Sequence, residues 1–182
     1  KNFLCKIKKL LLKKKIKKKY PIFFVIGNPC SGTTLTHQFL AKTGKFLYIS
    51  NFLSKFHQLP LFGGKIEKLF KISDYRKIKF ESINGRTNGI SNVSEFGFFW
   101  KRIFHDNVKI PSENLYINNL KQADLILHNL TNMFDLPLII KNNTFITMNL
   151  SLVSKYITNS YFIYSNGILD KKCCEILFSW IH

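Results

Sequence analysis

The chain has 182 residues, 46% of them hydrophobic, and a mean hydropathy of −0.02, which suits one globular domain with a real core. Its net charge of +18 raises nucleic acid or an anionic surface as partners. Only Arg76, Arg86 and Arg102 are arginines, however, and a dedicated nucleic-acid binder uses more of that residue's planar fork, so nucleic acid is disfavoured. Cys5, Cys30, Cys173 and Cys174 make neither a disulfide framework nor a zinc spacing, which leaves a reducing, cytoplasmic setting as the default.

In chain order, residues 1–19 form a basic tail with ten lysines and no acid. Leu10-Leu11-Leu12 is too short for a signal core or a membrane span. The tail reads as a solvated lead-in to the domain of residues 20–182, with peripheral contact to an anionic membrane as the alternative. Ile22 to Ile26 reads as a buried strand. A glycine loop follows, then a helix over 34–43 with Leu35, Phe39 and Leu40 at helical spacing. Phe46 to Ile49 reads as a short strand. Leu53, Phe56 and Leu59 mark a helix that stops before Pro60. Phe62-Gly63-Gly64 reads as a turn, and Ile66, Leu69 and Phe70 resume a helix. Residues 73–94 are polar, with Asn84-Gly85 and Asn88-Gly89 as turn signals. They read as a long loop over the ligand cleft, where selectivity commonly resides.

Glu95 to Phe104 reads as an aromatic-faced helix carrying Phe96, Phe99, Trp100 and Phe104. Residues 105–118 are irregular. A helix from Leu120 to Phe134, a buried strand from Leu136 to Lys141, a helix from Asn149 to Ile157 and a strand over 160–165 complete the pattern. Strands alternating with helices predict a parallel sheet.

Chemistry concentrates at Gly27-Asn28-Pro29-Cys30-Ser31-Gly32-Thr33-Thr34. Strand, glycine loop and helix start make an anion cradle, in which loop amides and the positive end of the helix converge. A nucleoside-triphosphate loop needs Lys directly after the second Gly, and Thr33 stands there instead. Pro29-Cys30-Ser31-Gly32-Thr33-Thr34 resembles the 5′-phosphosulfate loop of sulfotransferases. Asn92-Val93-Ser94-Glu95-Phe96-Gly97-Phe98-Phe99-Trp100 and Leu138 to Asn142 are similar to further landmarks of the bacterial-type members. So, in order and spacing, is Tyr161 to Asp170.

The resemblance implies a P-loop-like, three-layer α/β/α domain with a central parallel sheet. It implies transfer of a sulfuryl group from 3′-phosphoadenosine-5′-phosphosulfate (PAPS) to a hydroxyl or amine of a small-molecule or carbohydrate acceptor, without a metal. The cofactor positions it marks are Cys30, Ser31, Gly32, Thr33, Thr34, Asn166 and Cys174. Its catalytic positions are Glu95, as base among apolar rings, and Lys141, as the neutralising cation. His105 and His128 are fallback bases without supporting context. The family carries Arg or Lys at the place of Cys30, Arg at that of Asn166 and Ser at that of Cys174, so three donors are replaced.

Such proteins continue beyond the last strand into further helices. The chain starts at Lys1 and stops at Trp180-Ile181-His182 within an apolar pattern, so a domain truncated at its C-terminus is expected. Two alternatives stay open. One is a homologue that keeps the fold as a binding or structural module without turnover. The other is a basic nucleic-acid- or membrane-surface-binding protein that uses residues 1–19.

Overall fold

A computed structural model describes residues 17–28, 30–83, 85–105 and 116–165. The expectations placed on residues 1–16, Asn166, Cys173 and Cys174, and on most of the irregular run after His105, lie outside them.

Strand β1 (Ile22–Gly27) is buried along its whole length. It lies at the centre of a four-stranded sheet with β2 (Leu47–Tyr48), β3 (Leu138–Lys141) and β4 (Ser160–Ser165), in the order β2-β3-β1-β4. Every pairing is parallel, with Ile22 opposite Leu138 on one side and Ser160 on the other. The predicted parallel neighbours are therefore present, and the carboxyl ends of β1, β3 and β4 share one edge.

Two cores follow from the alternation of side chains along β1. Ile22, Phe24 and Ile26 face a large cluster of Leu, Ile and aromatic residues. Phe23 and Val25 face a smaller one with Leu40, Ala41, Tyr48 and Ile139. A two-sided apolar strand needs cover on both faces, and helices supply it. Helix α1 (Thr33–Lys42) contributes Leu40 and Ala41 to the smaller core. Helices α4 (Gly97–Ile103), α5 (Ile117–Phe134) and α6 (Leu150–Tyr156) contribute to the larger one. There Phe24 meets Trp100 edge-on at 6.1 Å, and Phe96 stacks on Phe99 at 4.4 Å. Among the described residues no helix is long and apolar enough to cross a membrane.

Two local expectations are corrected. Phe62-Gly63-Gly64 is not a turn, since it lies inside α3 (Pro60–Phe70), which follows the short α2 (Asn51–Lys55). The glycines serve close approach: a Cβ on Gly63 would lie 2.5 Å from Phe56 Cβ, and one on Gly64 2.8 Å from Leu130 Cδ2. Pro60 starts the helix at its first turn, where the missing N–H costs nothing. On α1 the apolar pair Leu35 and Phe39 faces outward, at 54% and 58% exposure, while His37 and Gln38 are buried. The Gln38 amide donates to the carbonyls of Lys79 and Glu81, so a polar side chain is satisfied beneath the 73–94 loop.

Residues 17–19 join the fold. Lys18 pairs with Asp124, and Lys19 pairs with Asp135 at 2.8 Å. The Asn132 amide donates to the Lys17 carbonyl at 2.7 Å.

Candidate functional site

The loop between β1 and α1 leaves the sheet at its carboxyl edge. Gly27 has neighbours on every side: a Cβ there would lie 2.4 Å from the Ser165 carbonyl oxygen and 2.6 Å from Ser31 Oγ. The Ser31 N–H donates to the Asn28 carbonyl at 3.2 Å, and the Ser165 hydroxyl donates to the Ser31 carbonyl, tying the loop to the end of β4. The chain then turns through Gly32 into α1. This helix has ten residues, no side-chain cap at its start and no acid in its first turn. Its first N–H groups are thus left with the positive end of the helix dipole around them. Ser31, 7% exposed, keeps its hydroxyl without a hydrogen-bond partner among the described residues. These are donors arranged for an anion.

A second group meets the loop from β3. The Lys141 side chain is 5% exposed, and its ammonium donates to Thr34 Oγ1 at 3.1 Å and to the Glu95 carboxylate. Asn143 donates to Thr33 Oγ1 at 3.0 Å. Glu95 lies ahead of α4, outside its first turn, on a segment held by the Asn142 amide, which donates to the Glu95 carbonyl at 3.3 Å. Its carboxylate faces the Lys141 ammonium, and the Phe99 and Trp100 rings of α4 turn away into the core. Phe96, with φ of 55°, makes that bend between Glu95 and the helix.

The 73–94 loop covers this cluster. Gly85, with φ of 78°, is so near that a Cβ on it would sit 3.2 Å from Glu95 Oε1, 3.3 Å from Lys141 Nζ and 3.6 Å from Thr34 Oγ1. The turn at Gly85 is closed by Ile83 and Arg86, whose backbones exchange both hydrogen bonds at 2.9 Å. Beyond the carboxylate opens a cleft of about 520 Å³, bordered by Arg86, Thr87, Glu95, Phe98 and Lys101.

Of the residues marked from the sequence, Ser31, Gly32, Thr33, Thr34, Lys141 and Glu95 converge. Cys30 is on the same loop with φ of 63°, its side chain exposed. Asn166 and Cys174 lie outside the described residues. The two fallback histidines are elsewhere. His105 is exposed against the Asn119 amide at 2.9 Å. His128 is buried and bonded to the Thr158 carbonyl at 2.9 Å, ahead of the amino end of β4. Burial lowers its pKa, so its imidazole stays neutral.

Sequence reading missed His37, Gly85, Asn143 and Arg86. His37 is 1% exposed on α1, and burial, with the nearby Lys141 charge, brings its pKa down to about 3. A neutral imidazole adds no second cation beside Lys141. The signal for Gly85 was its Asn-Gly turn. The other three carried none, because their roles come from neighbours far along the chain. Among the described residues no group of three or more His, Cys, Asp and Glu side chains converges as metal ligands would. Comparison with family models, with curated proteins and with solved structures finds no match.

Proposed function

We propose that this is a sulfotransferase-type domain of P-loop-like architecture, with PAPS as donor and a hydroxyl- or amine-bearing small molecule or carbohydrate as acceptor. One observation carries the reading. The uncapped start of α1 and the Lys141 ammonium meet at Thr34, so an anion seated on the loop receives amides, hydroxyls and one buried cation together. The unpartnered Ser31 hydroxyl supports the fit.

The Ser31 to Thr34 amides, with the Ser31, Thr33 and Thr34 hydroxyls, would hold the 5′-phosphosulfate. When bound, PAPS supplies an activated sulfuryl group and departs as 3′,5′-adenosine bisphosphate. Lys141 neutralises charge on the anion, a preorganised contribution typically of 10²–10³-fold in rate. Glu95 receives the acceptor's proton. It is tied to Lys141 in the free protein, and an anion that recruits the ammonium loosens that tie and leaves the carboxylate available as base.

A second reading, a binding module without turnover, is favoured by Cys30, whose exposed thiol supplies no cation where the resembling family has one. A cytoplasmic setting is part of the proposal, and peripheral membrane contact through residues 1–19 is the alternative for the tail.

The test is calorimetric titration of 3′,5′-adenosine bisphosphate, with ATP as control, into the full chain and its Cys30→Arg variant, followed by turnover of PAPS. The parent should bind the bisphosphate in preference to ATP, and Cys30→Arg should tighten it about tenfold. Absence of bisphosphate binding by both proteins refutes the reading. Binding without turnover by either selects the module.

A further inference from the structure

The cleft beside Glu95 has a chemistry the donor loop does not explain. Arg86 projects from a backbone held in place on both sides. Ile83 pairs with it, and the Asn51 amide donates to the Thr87 carbonyl and the Gly89 carbonyl, each at 2.9 Å. Among the described residues no ion pair or side-chain hydrogen bond engages the Arg86 guanidinium. Lys101 borders the same space from α4, one turn beyond Phe98, whose ring is 69% exposed and lies 5.5 Å from His57. Among the described residues that line it, Glu95 is the only acid, and Lys141 already neutralises it. A volume of about 520 Å³ suits a small molecule rather than a polymer.

We infer that this cleft binds a small hydroxyl-bearing anion, a sugar-sized carboxylate or sulfate, with Arg86 and Lys101 on its charged group and Phe98 against its apolar face. A planar guanidinium is the side chain best matched to a carboxylate or sulfate edge. Glu95 borders the same cleft, so a hydroxyl of the same ligand can reach the carboxylate that Lys141 holds. The ligand class follows from the cleft's charge. Calling the ligand the acceptor rests on the sulfuryl-transfer reading above.

The experiment titrates glucuronate, glucose 6-sulfate and neutral glucose into the full chain and into Arg86→Ala and Lys101→Ala, at low salt. The bisphosphate is titrated into the same three proteins. Both substituted side chains are exposed, and thermal melting confirms that the folds are equal. At least one anionic sugar should bind about tenfold or more tightly than glucose, and Arg86→Ala should erase that preference, since it removes a charge-assisted pair. Bisphosphate affinity should stay unchanged in Arg86→Ala. The inference is overturned if neither anionic sugar exceeds glucose, or if the preference survives in both variants. It is also overturned if Arg86→Ala weakens the bisphosphate as much as the sugars, because the cleft then belongs to the nucleotide. An Arg86-dependent preference in a chain that binds no bisphosphate upholds the cleft's ligand class and refutes the sulfuryl-transfer reading.

Discussion

Replacing Lys141 by Met separates a functional cation from a structural one. The ammonium has two partners, Thr34 Oγ1 at 3.1 Å and the Glu95 carboxylate, in a side chain 5% exposed. A charge-assisted hydrogen bond to a bound anion is worth about 1.5–3 kcal/mol, so Lys141→Met should weaken 3′,5′-adenosine bisphosphate by roughly 10- to 100-fold. Its effect on stability should be much smaller. Met keeps most of the stem's packing, the desolvated ammonium is gone, and the Glu95 side chain, 33% exposed, is reached by water. Those terms offset to within about 1 kcal/mol. Glu95→Gln should act the other way, tightening the bisphosphate, because the ammonium no longer shares itself with a carboxylate. Calorimetric titration and thermal melting of the three proteins read both effects. Unchanged affinity in a well-folded Lys141→Met protein would refute the argument, and so would a collapse of its melting temperature, which would make the pair a structural strut.

Gly63→Ala should destabilise by about 1–3 kcal/mol despite a helix-propensity gain near 1, because the new Cβ meets Phe56 Cβ at 2.5 Å; a raised urea midpoint would contradict the packing of α3. Glu67 is fully buried, and burial pushes its carboxyl up to about 7 from 4.5, although the Ser50 and Ser73 hydroxyls pull it partly back. A raised carboxyl pKa means that the folded state holds its proton longer than the unfolded one. Stability is therefore complete below about pH 4.5, falls as pH rises, and levels off above about 7. Urea unfolding at pH 5 and pH 8 should show that loss in the parent, and Glu67→Gln should remove it. Asp124→Ala strips acceptors from the Thr158 N–H at 2.9 Å and hydroxyl at 3.2 Å and leaves Lys18 with only the Thr158 hydroxyl; a loss of about 2–4 kcal/mol is expected by chemical denaturation, with bisphosphate affinity unchanged because that cluster lies ahead of β4, away from the loop.

What local chemistry dictates was legible in the chain itself. Five consecutive apolar residues, Ile22 to Ile26, demand cover on both faces, which makes a central strand with helices on each side. The glycine loop and the hydroxyls after it mark the turn from strand into helix, and the alternation of strands and helices gives the parallel sheet that β1, β3 and β4 form. The Asn-Gly turn at Gly85 and the aromatic face of α4 were readable for the same reason, since each expresses a need of its own segment.

Tertiary structure alone decided which segments meet. Gly63 and Gly64 look like a turn in isolation and become helix because Phe56 and Leu130 press close enough to exclude side chains. Leu35 and Phe39 have the spacing of a buried face, yet His37 and Gln38 take that place, because the carbonyls of Lys79 and Glu81 on a distant loop satisfy the Gln38 amide. Glu95 was expected among rings and instead faces an ammonium 46 residues away. The cleft owes its charge to Arg86 and Lys101, which no motif connects. Periodicity records how much of an element must leave water. The groups that cover it, and the charges they bring, are set by packing between segments far apart in the chain.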